Sequence, residues 1–256
     1  MKQYKGYLID LDGTMYRGSE KIEAASDFVK ALVKKDIPYL FVTNNSSRTP
    51  EQVAEKLLEF DIPTTKEHIF TTSQATANFI NEQEKAASVY VIGEQGLKEA
   101  ISEKGFIITD QRPQYVVIGL DRELTYEKLA TACLAVRDGA RFISTNADIA
   151  IPTERGLVPG NGSLTSVITV STGVQPIFIG KPEQIIMEQA LKVLGTPLAD
   201  TLMVGDNYDT DIMAGMNTGL DTLLVHTGVT TEVMLETIER KPTYSVKSLT
   251  EWLAYI

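Results

Sequence analysis

The stretch Leu8-Ile9-Asp10-Leu11-Asp12-Gly13-Thr14 sets two carboxylates two positions apart, just past a short apolar run, and points to a phosphate-handling site. Gly6-Tyr7-Leu8-Ile9 has the character of a strand buried on both faces, and the Asp-Gly step that follows forces a turn. At strand periodicity Asp10 and Asp12 point the same way, which brings two like charges together. A hard cation offsets their repulsion best, because Mg²⁺ takes oxygens from one or two carboxylates and keeps positions open for water and phosphate.

Two more clusters and one cation complete the set. Gly205-Asp206-Asn207-Tyr208-Asp209-Thr210-Asp211 packs three carboxylates into one strand-to-helix turn, again costly without a cation. Asp206, directly after the strand, is the expected metal ligand, with Asp211 a second ligand or an outer partner, while Asp209 reads as a helix cap. Thr43, Asn44 and Asn45 bring a hydroxyl, amides and backbone N–H groups to a helix start, a ready anion site, although Asn45 would serve equally as a turn residue. Lys181, in Gly-Lys-Pro, stands at the N-terminal edge of a helix, where a cation is unfavourable without an anionic neighbour.

These clusters need strands behind them. Apolar runs at 6–9, 39–42, 177–179, 201–204 and 221–225 read as buried strands, with helical periodicity over 22–35, from Pro50, 73–80, 183–194 and 211–216. Alternating strand and helix implies parallel pairing, and in an open parallel sheet ligands bind at the carboxyl edge, where all three clusters fall. Composition turns polar at 81–88, after which a second alternation runs to about 171. The expected organisation is one doubly wound α/β core, 1–81 and 178–256, interrupted by a smaller α/β domain over 82–177.

Composition excludes several classes. No apolar run approaches a membrane span, and the short N-terminus leaves no room for a signal peptide, so a cytoplasmic protein is expected. A net charge of −10 argues against sequence-independent nucleic-acid binding, which needs a basic surface. The lone Cys133 lies in an apolar helical pattern and reads as core filler. The glycine-rich stretch 156–163 lacks the lysine and spacing of a P-loop and reads as structural.

Taken in order, the D-x-D-G-T, F-V-T-N-N, G-K-P and G-D-N-x-x-T-D-I segments resemble the four motifs of the haloacid dehalogenase-like phosphatases. The insert between the second and third is similar to that of the NagD-like, or nitrophenylphosphatase, branch with its α/β (C2-type) cap. The resemblance covers nearly the whole chain and implies a Rossmann-like core with that cap. It further implies Asp10 as nucleophile, Asp12 as general acid and base, Thr43 and Asn44 on the phosphoryl group, Lys181 as charge neutraliser, and Asp206 with Asp211 in the Mg²⁺ site. Gly13, Asn45 and Lys181 are counted with the phosphate-binding residues, and Asp10 and Asp12 with the metal ligands.

The expected reaction is Mg²⁺-dependent hydrolysis of a small phosphorylated metabolite, a sugar phosphate, nucleotide or aryl phosphate, through an aspartyl-phosphate. A phosphotransferase or phosphomutase would share that intermediate and differ in the acceptor. A regulatory module that only holds phosphate would not need Asp12. The inserted domain is expected to act as a lid. Within it, Asn146 and Asp148 follow a strand and lead into a loop over 149–155, so they either meet the leaving group or form an ordinary polar turn. An apolar cap edge could pair two chains as a homodimer.

Overall fold

The computed structural model describes residues 2–256, which fall into two compact units. The first runs to Thr43 and resumes over Pro50–Phe70 and Lys181–Ile256; the second comprises Asn44–Thr49 and Thr71–Gly180. The Thr72–Gln83 helix, expected with the outer pattern, goes with the second unit. Its buried face carries Thr72, Ser73 and Thr76, and Ser73 Oγ donates to the Ser46 carbonyl. The polar run that suggested a border at 81–88 is the turn between this helix and the Ser88–Ile92 strand.

The first unit is built on six strands in the order Tyr244–Val246, Asp221–Val225, Thr201–Gly205, Gly6–Ile9, Tyr39–Thr43, Ile69–Thr71. From Tyr244–Val246 to Tyr39–Thr43 the pairs are parallel, as the alternating pattern requires. Ile9 pairs with both Val204 and Phe41, which puts the three central strand ends level. Asp10 and Asp206 directly follow two of these strands, and Thr43 is the last residue of the third.

Behind that edge, Tyr7, Ile9, Phe28, Phe41, Val204 and Trp252 share one apolar core. Each such side chain contributes on the order of 2 kcal/mol by leaving water. An exposed ion pair such as Lys66–Glu51 contributes about 0–1 kcal/mol. The sheet's buried faces therefore fix its strand ends. The Glu23–Lys34 helix presents Ala25, Phe28, Val29 and Leu32 to this core at the expected spacing. A small hairpin, Tyr16–Arg17 with Glu20–Lys21, follows the first strand and carries no signal strong enough to read from sequence.

The second unit has its own parallel sheet, ordered Ile177–Phe178, Arg141–Ser144, Tyr115–Ile118, Ser88–Ile92, Ile107–Ile108, over a core that includes Ile92, Val116, Phe142 and Ile168. Cys133 is buried in that core as a free thiol. The segment expected as a loop over 149–155 is instead the first half of an antiparallel hairpin, Ala150–Thr153 with Gly156–Pro159. Its turn is closed by Thr153 Oγ1, which donates to the Gly156 carbonyl at 2.8 Å, with Gly156 at φ +104. Thr-Glu-Arg-Gly does not have the usual two-residue hairpin signature, which hid the turn. Among the described residues no helix is long and apolar enough to cross a membrane.

Candidate active site

Strand geometry stops at Ile9, before either carboxylate of the first motif. The chain then turns: the N–H groups of Thr14 and Met15 donate to the Leu11 carbonyl, and Gly13 N–H donates to the Tyr16 carbonyl at 2.7 Å, with Gly13 at φ +90. Asp10 is buried and Asp12 exposed, and no strand carries either, so strand periodicity does not set the directions of the two carboxylates. Gly13, expected among the phosphate-binding residues, spends its N–H on Tyr16 and accepts on its carbonyl from Thr227 Oγ1. Its place is in packing.

Lys181 lies at the centre of the site with its side chain 2% exposed. Its ammonium donates to Asp10 Oδ1 at 2.5 Å, Asp211 Oδ1 at 2.7 Å and the Val42 carbonyl at 3.0 Å. Three donors meet three acceptors, so the lysine binds the site together before any substrate arrives. Asp211 also accepts on Oδ2 from Asn207 N–H at 3.1 Å. Asp10 accepts nothing on Oδ2 from the described residues, and its side chain keeps 12% exposure.

Electrostatics follow from this packing. Burial, and then the neighbouring Asp211, push the Asp10 pKa well above the usual carboxylate range, with Lys181 pulling the other way. For Lys181, burial works against the ammonium, but Asp10 and Asp211 outweigh it and hold its pKa above the ordinary lysine value. Asp206 is pushed up to about 6 by burial and then by Asp211, against the stabilising bonds from Val229 N–H and Thr14.

Carboxylate oxygens of Asp10, Asp206 and Asp211 all lie within 4.8 Å of one another, and all three residues are buried. Three carboxylates against one ammonium leave two negative charges without a partner, which a divalent cation would match. The donors are all oxygen, the chemistry of Mg²⁺, Mn²⁺ or Ca²⁺ rather than of a thiolate- or imidazole-seeking metal. The residues therefore fit a hard divalent ion. Asp12, expected with the ligands, is outside this group.

Asp206 is held on both oxygens, by Thr14 Oγ1 on Oδ1 at 3.0 Å and Val229 N–H on Oδ2 at 2.7 Å. Glycines flank it: a Cβ at Gly13 would stand 2.3 Å from Asp206 Oδ2, and one at Gly228 1.9 Å. Gly228→Ala is expected to displace the carboxylate and cost about 1–3 kcal/mol, as overpacking does, read as a lower urea midpoint. Thr14, Gly228 and Val229 carry no charge and give no sequence signal of their own; only the Gly-Thr step after Asp12 hinted at Thr14.

The helix after Asp206 opens as a π-helical turn, Tyr208–Ile212, before Met213–Thr218. Asn207, not Asp209, caps it, accepting from Asp209 N–H at 3.0 Å. Across this π turn Asn207 N–H reaches Asp211 Oδ2.

Thr43 is buried at its strand end in the first unit, whereas Asn44 and Asn45 belong to the second. Asn45 Oδ1 accepts from Ser47 N–H at 2.9 Å and Arg48 N–H at 3.0 Å, the bonding of a turn residue. Asn44 Nδ2 donates to both oxygens of Asp148, at 3.2 and 3.3 Å, and its carbonyl accepts from Asn146 Nδ2 at 2.8 Å. Asn146 and Asp148 thus hold the very residue that the resemblance puts on the phosphoryl group. Nothing in sequence separation, about a hundred residues, could have shown it.

Residues 7–107 match the family model of the haloacid dehalogenase-like hydrolases, and residues 178–252 match a second, HAD-hydrolase-like, model. Over 256 residues, all of both chains, the sequence is 67% identical to the 5′-nucleotidase YutF of Bacillus subtilis. It is 57% identical to an acid sugar phosphatase of Staphylococcus aureus, covering 99% of this chain and 98% of that one. Among solved structures, a double mutant of a thermostable NPPase from Geobacillus stearothermophilus superposes with a TM-score of 0.94 at 62% identity, over 98% of this chain and 99% of that chain. A p-nitrophenyl phosphatase from Archaeoglobus fulgidus, 34% identical, also reaches 0.94 with full coverage of both chains.

Proposed function

We propose that this chain, which belongs to the haloacid dehalogenase-like hydrolases and is a phosphomonoester hydrolase, splits small phosphate monoesters through an aspartyl-phosphate on Asp10, with Mg²⁺ as its metal. One observation carries this reading: Asp10 has one oxygen tied to a buried lysine and the other left unbonded at the carboxyl edge of the sheet. Asp10, Asp206 and Asp211 would hold the cation. When bound, it neutralises charge that would otherwise keep an anionic carboxylate and an anionic phosphate apart.

The steps follow from the residues. Asp10 Oδ2 forms a bond to phosphorus as the bond from phosphorus to the ester oxygen breaks. Asp12, exposed and so in contact with water, gives its proton to the leaving alkoxide. It then takes a proton from the water whose oxygen attacks the phosphoryl group, which releases phosphate and restores Asp10. Lys181 holds Asp10 in place and supplies fixed positive charge. Thr43 is assigned to the phosphoryl oxygens, the role that the resemblance implies for Asn44 as well, and within the second unit Asn146 and Asp148 hold Asn44.

The named relatives act on a nucleotide, sugar phosphates and an aryl phosphate, which share the phosphoryl group and differ in what leaves. The substrate is accordingly taken as a small phosphorylated metabolite. Phosphate release from p-nitrophenyl phosphate, nucleoside monophosphates and sugar phosphates tests the activity. Excess chelator should lower turnover at least about 100-fold, since a bound metal supplies several kcal/mol, and added Mg²⁺ should restore it. Full activity in chelator would remove the metal from the scheme.

A further inference from the structure

The strand Asp221–Val225 runs into His226-Thr227-Gly228-Val229-Thr230, a turn that adds no carboxylate to the cluster. Its bonds nevertheless join the two acidic loops. Thr227 Oγ1 donates to the Gly13 carbonyl at 2.7 Å, on the Asp10 side. On the other side, Val229 N–H donates to Asp206 Oδ2 at 2.7 Å and Thr230 N–H to the Asp206 carbonyl at 3.0 Å. Thr230 Oγ1 in turn accepts from Tyr208 N–H at 2.8 Å.

The turn is itself fastened from outside. Arg17 Nε, on the small hairpin, donates to the Thr227 carbonyl. His226 bonds through Nδ1 to the Thr230 carbonyl at 2.8 Å and through Nε2 to Ser245 Oγ at 2.7 Å. Between these ties the Asp206 carboxylate is packed against Gly13 and Gly228, whose backbones come so close that a Cβ on Gly228 would lie 2.8 Å from Gly13 Cα.

This arrangement bears on cation binding through orientation. A carboxylate oxygen has two lone pairs, and Thr14 and Val229 take one on each oxygen of Asp206. One pair per oxygen is left, in a direction set by the partners already in place. Hydrogen-bonding partners behind a ligand fix its orientation, and losing one typically costs about 10–100-fold in metal affinity.

We propose that the Thr227–Thr230 turn, latched by Arg17, is a positioning element for the divalent cation: it locks Asp206 against the Asp10–Thr14 loop and thereby sets how tightly the ion is held. Thr227 and Arg17 are positioning residues that touch none of the reacting atoms. The inference rests on Asp206 being a metal ligand, and the experiment separates the two.

Thr227→Val keeps the β-branched shape and removes the hydroxyl, and Thr227→Ser keeps the hydroxyl. Calorimetric titration of the chelator-stripped full chain with Mg²⁺ reads the affinity directly, and urea unfolding reads stability in parallel. Thr227→Val is expected to raise the Mg²⁺ dissociation constant about 10-fold, with Thr227→Ser near the parent value and kcat at saturating Mg²⁺ retained. Arg17 is exposed, so Arg17→Ala folds and should weaken Mg²⁺ in the same direction. Parent-like Mg²⁺ affinity in both Thr227→Val and Arg17→Ala overturns the proposal, as does an equal loss in Thr227→Ser. Asp206→Asn is the separate control: Mg²⁺ binding at parent affinity there would overturn the ligand assignment itself.

Discussion

Asp10→Asn protein is expected to hydrolyse p-nitrophenyl phosphate roughly 10⁴-fold more slowly than the parent, about 5.5 kcal/mol of barrier at about 1.4 kcal/mol per tenfold. The amide nearly matches the carboxylate in shape, but it has no anionic oxygen to form the phosphoryl bond. Stability should not fall with activity. Burial already disfavours the ionised form of Asp10, and the substitution removes one of three crowded negative charges. Lys181 keeps Asp211 and the Val42 carbonyl. A variant with a parent-like urea midpoint and almost no turnover therefore isolates chemistry from folding. Rapid acid quench of the parent with substrate should leave a phosphoryl group on the peptide containing Asp10 and none in the variant. Turnover within tenfold of the parent would sink the covalent scheme.

Why this site was partly legible follows from what strands do to polar residues. A buried strand is a run of apolar side chains, so the first carboxylate, hydroxyl or amide after it marks its end, and Asp10, Thr43 and Asp206 were readable on that ground alone. Lys181 was readable because a cation at a helix start needs an anion, and two are there. Orientation past a strand end was not readable: Leu11–Thr14 is a turn, and strand periodicity says nothing about Asp12. The division of the chain was blurred for a related reason. Asn44–Thr49 follows a strand of one unit and packs within the other, through Asn146, Asp148 and Ser73. Local composition carries no trace of such long-range bonds. The Thr227–Thr230 turn was silent because it works through backbone N–H groups, a hydroxyl and the lack of a side chain at Gly228.

Lys181→Met should unfold the metal-free protein more easily, by roughly 3–5 kcal/mol, the cost of removing one partner from a buried ion pair. Methionine fills the space of the lysine stem but leaves Asp10 and Asp211 buried without their common cation, and leaves the Val42 carbonyl without its donor. Urea unfolding in chelator reads the loss. Saturating Mg²⁺ should recover part of it, since a divalent ion would offset the same charge. Adding Asp211→Asn should also recover stability, because it withdraws one of the stranded charges. Turnover should not return with it: the second change also removes a residue assigned to the cation, and it does nothing to hold Asp10 Oδ1. Stability within about 1 kcal/mol of the parent for the single variant would mean that the lysine does not hold the cluster, which contradicts the geometry. Turnover recovered by saturating Mg²⁺ in the single variant would assign Lys181 to architecture alone. Stability that returns with saturating Mg²⁺ in Lys181→Met, without turnover, is the result that places the lysine in the chemistry, as the group that holds one oxygen of the nucleophile and leaves the other to attack.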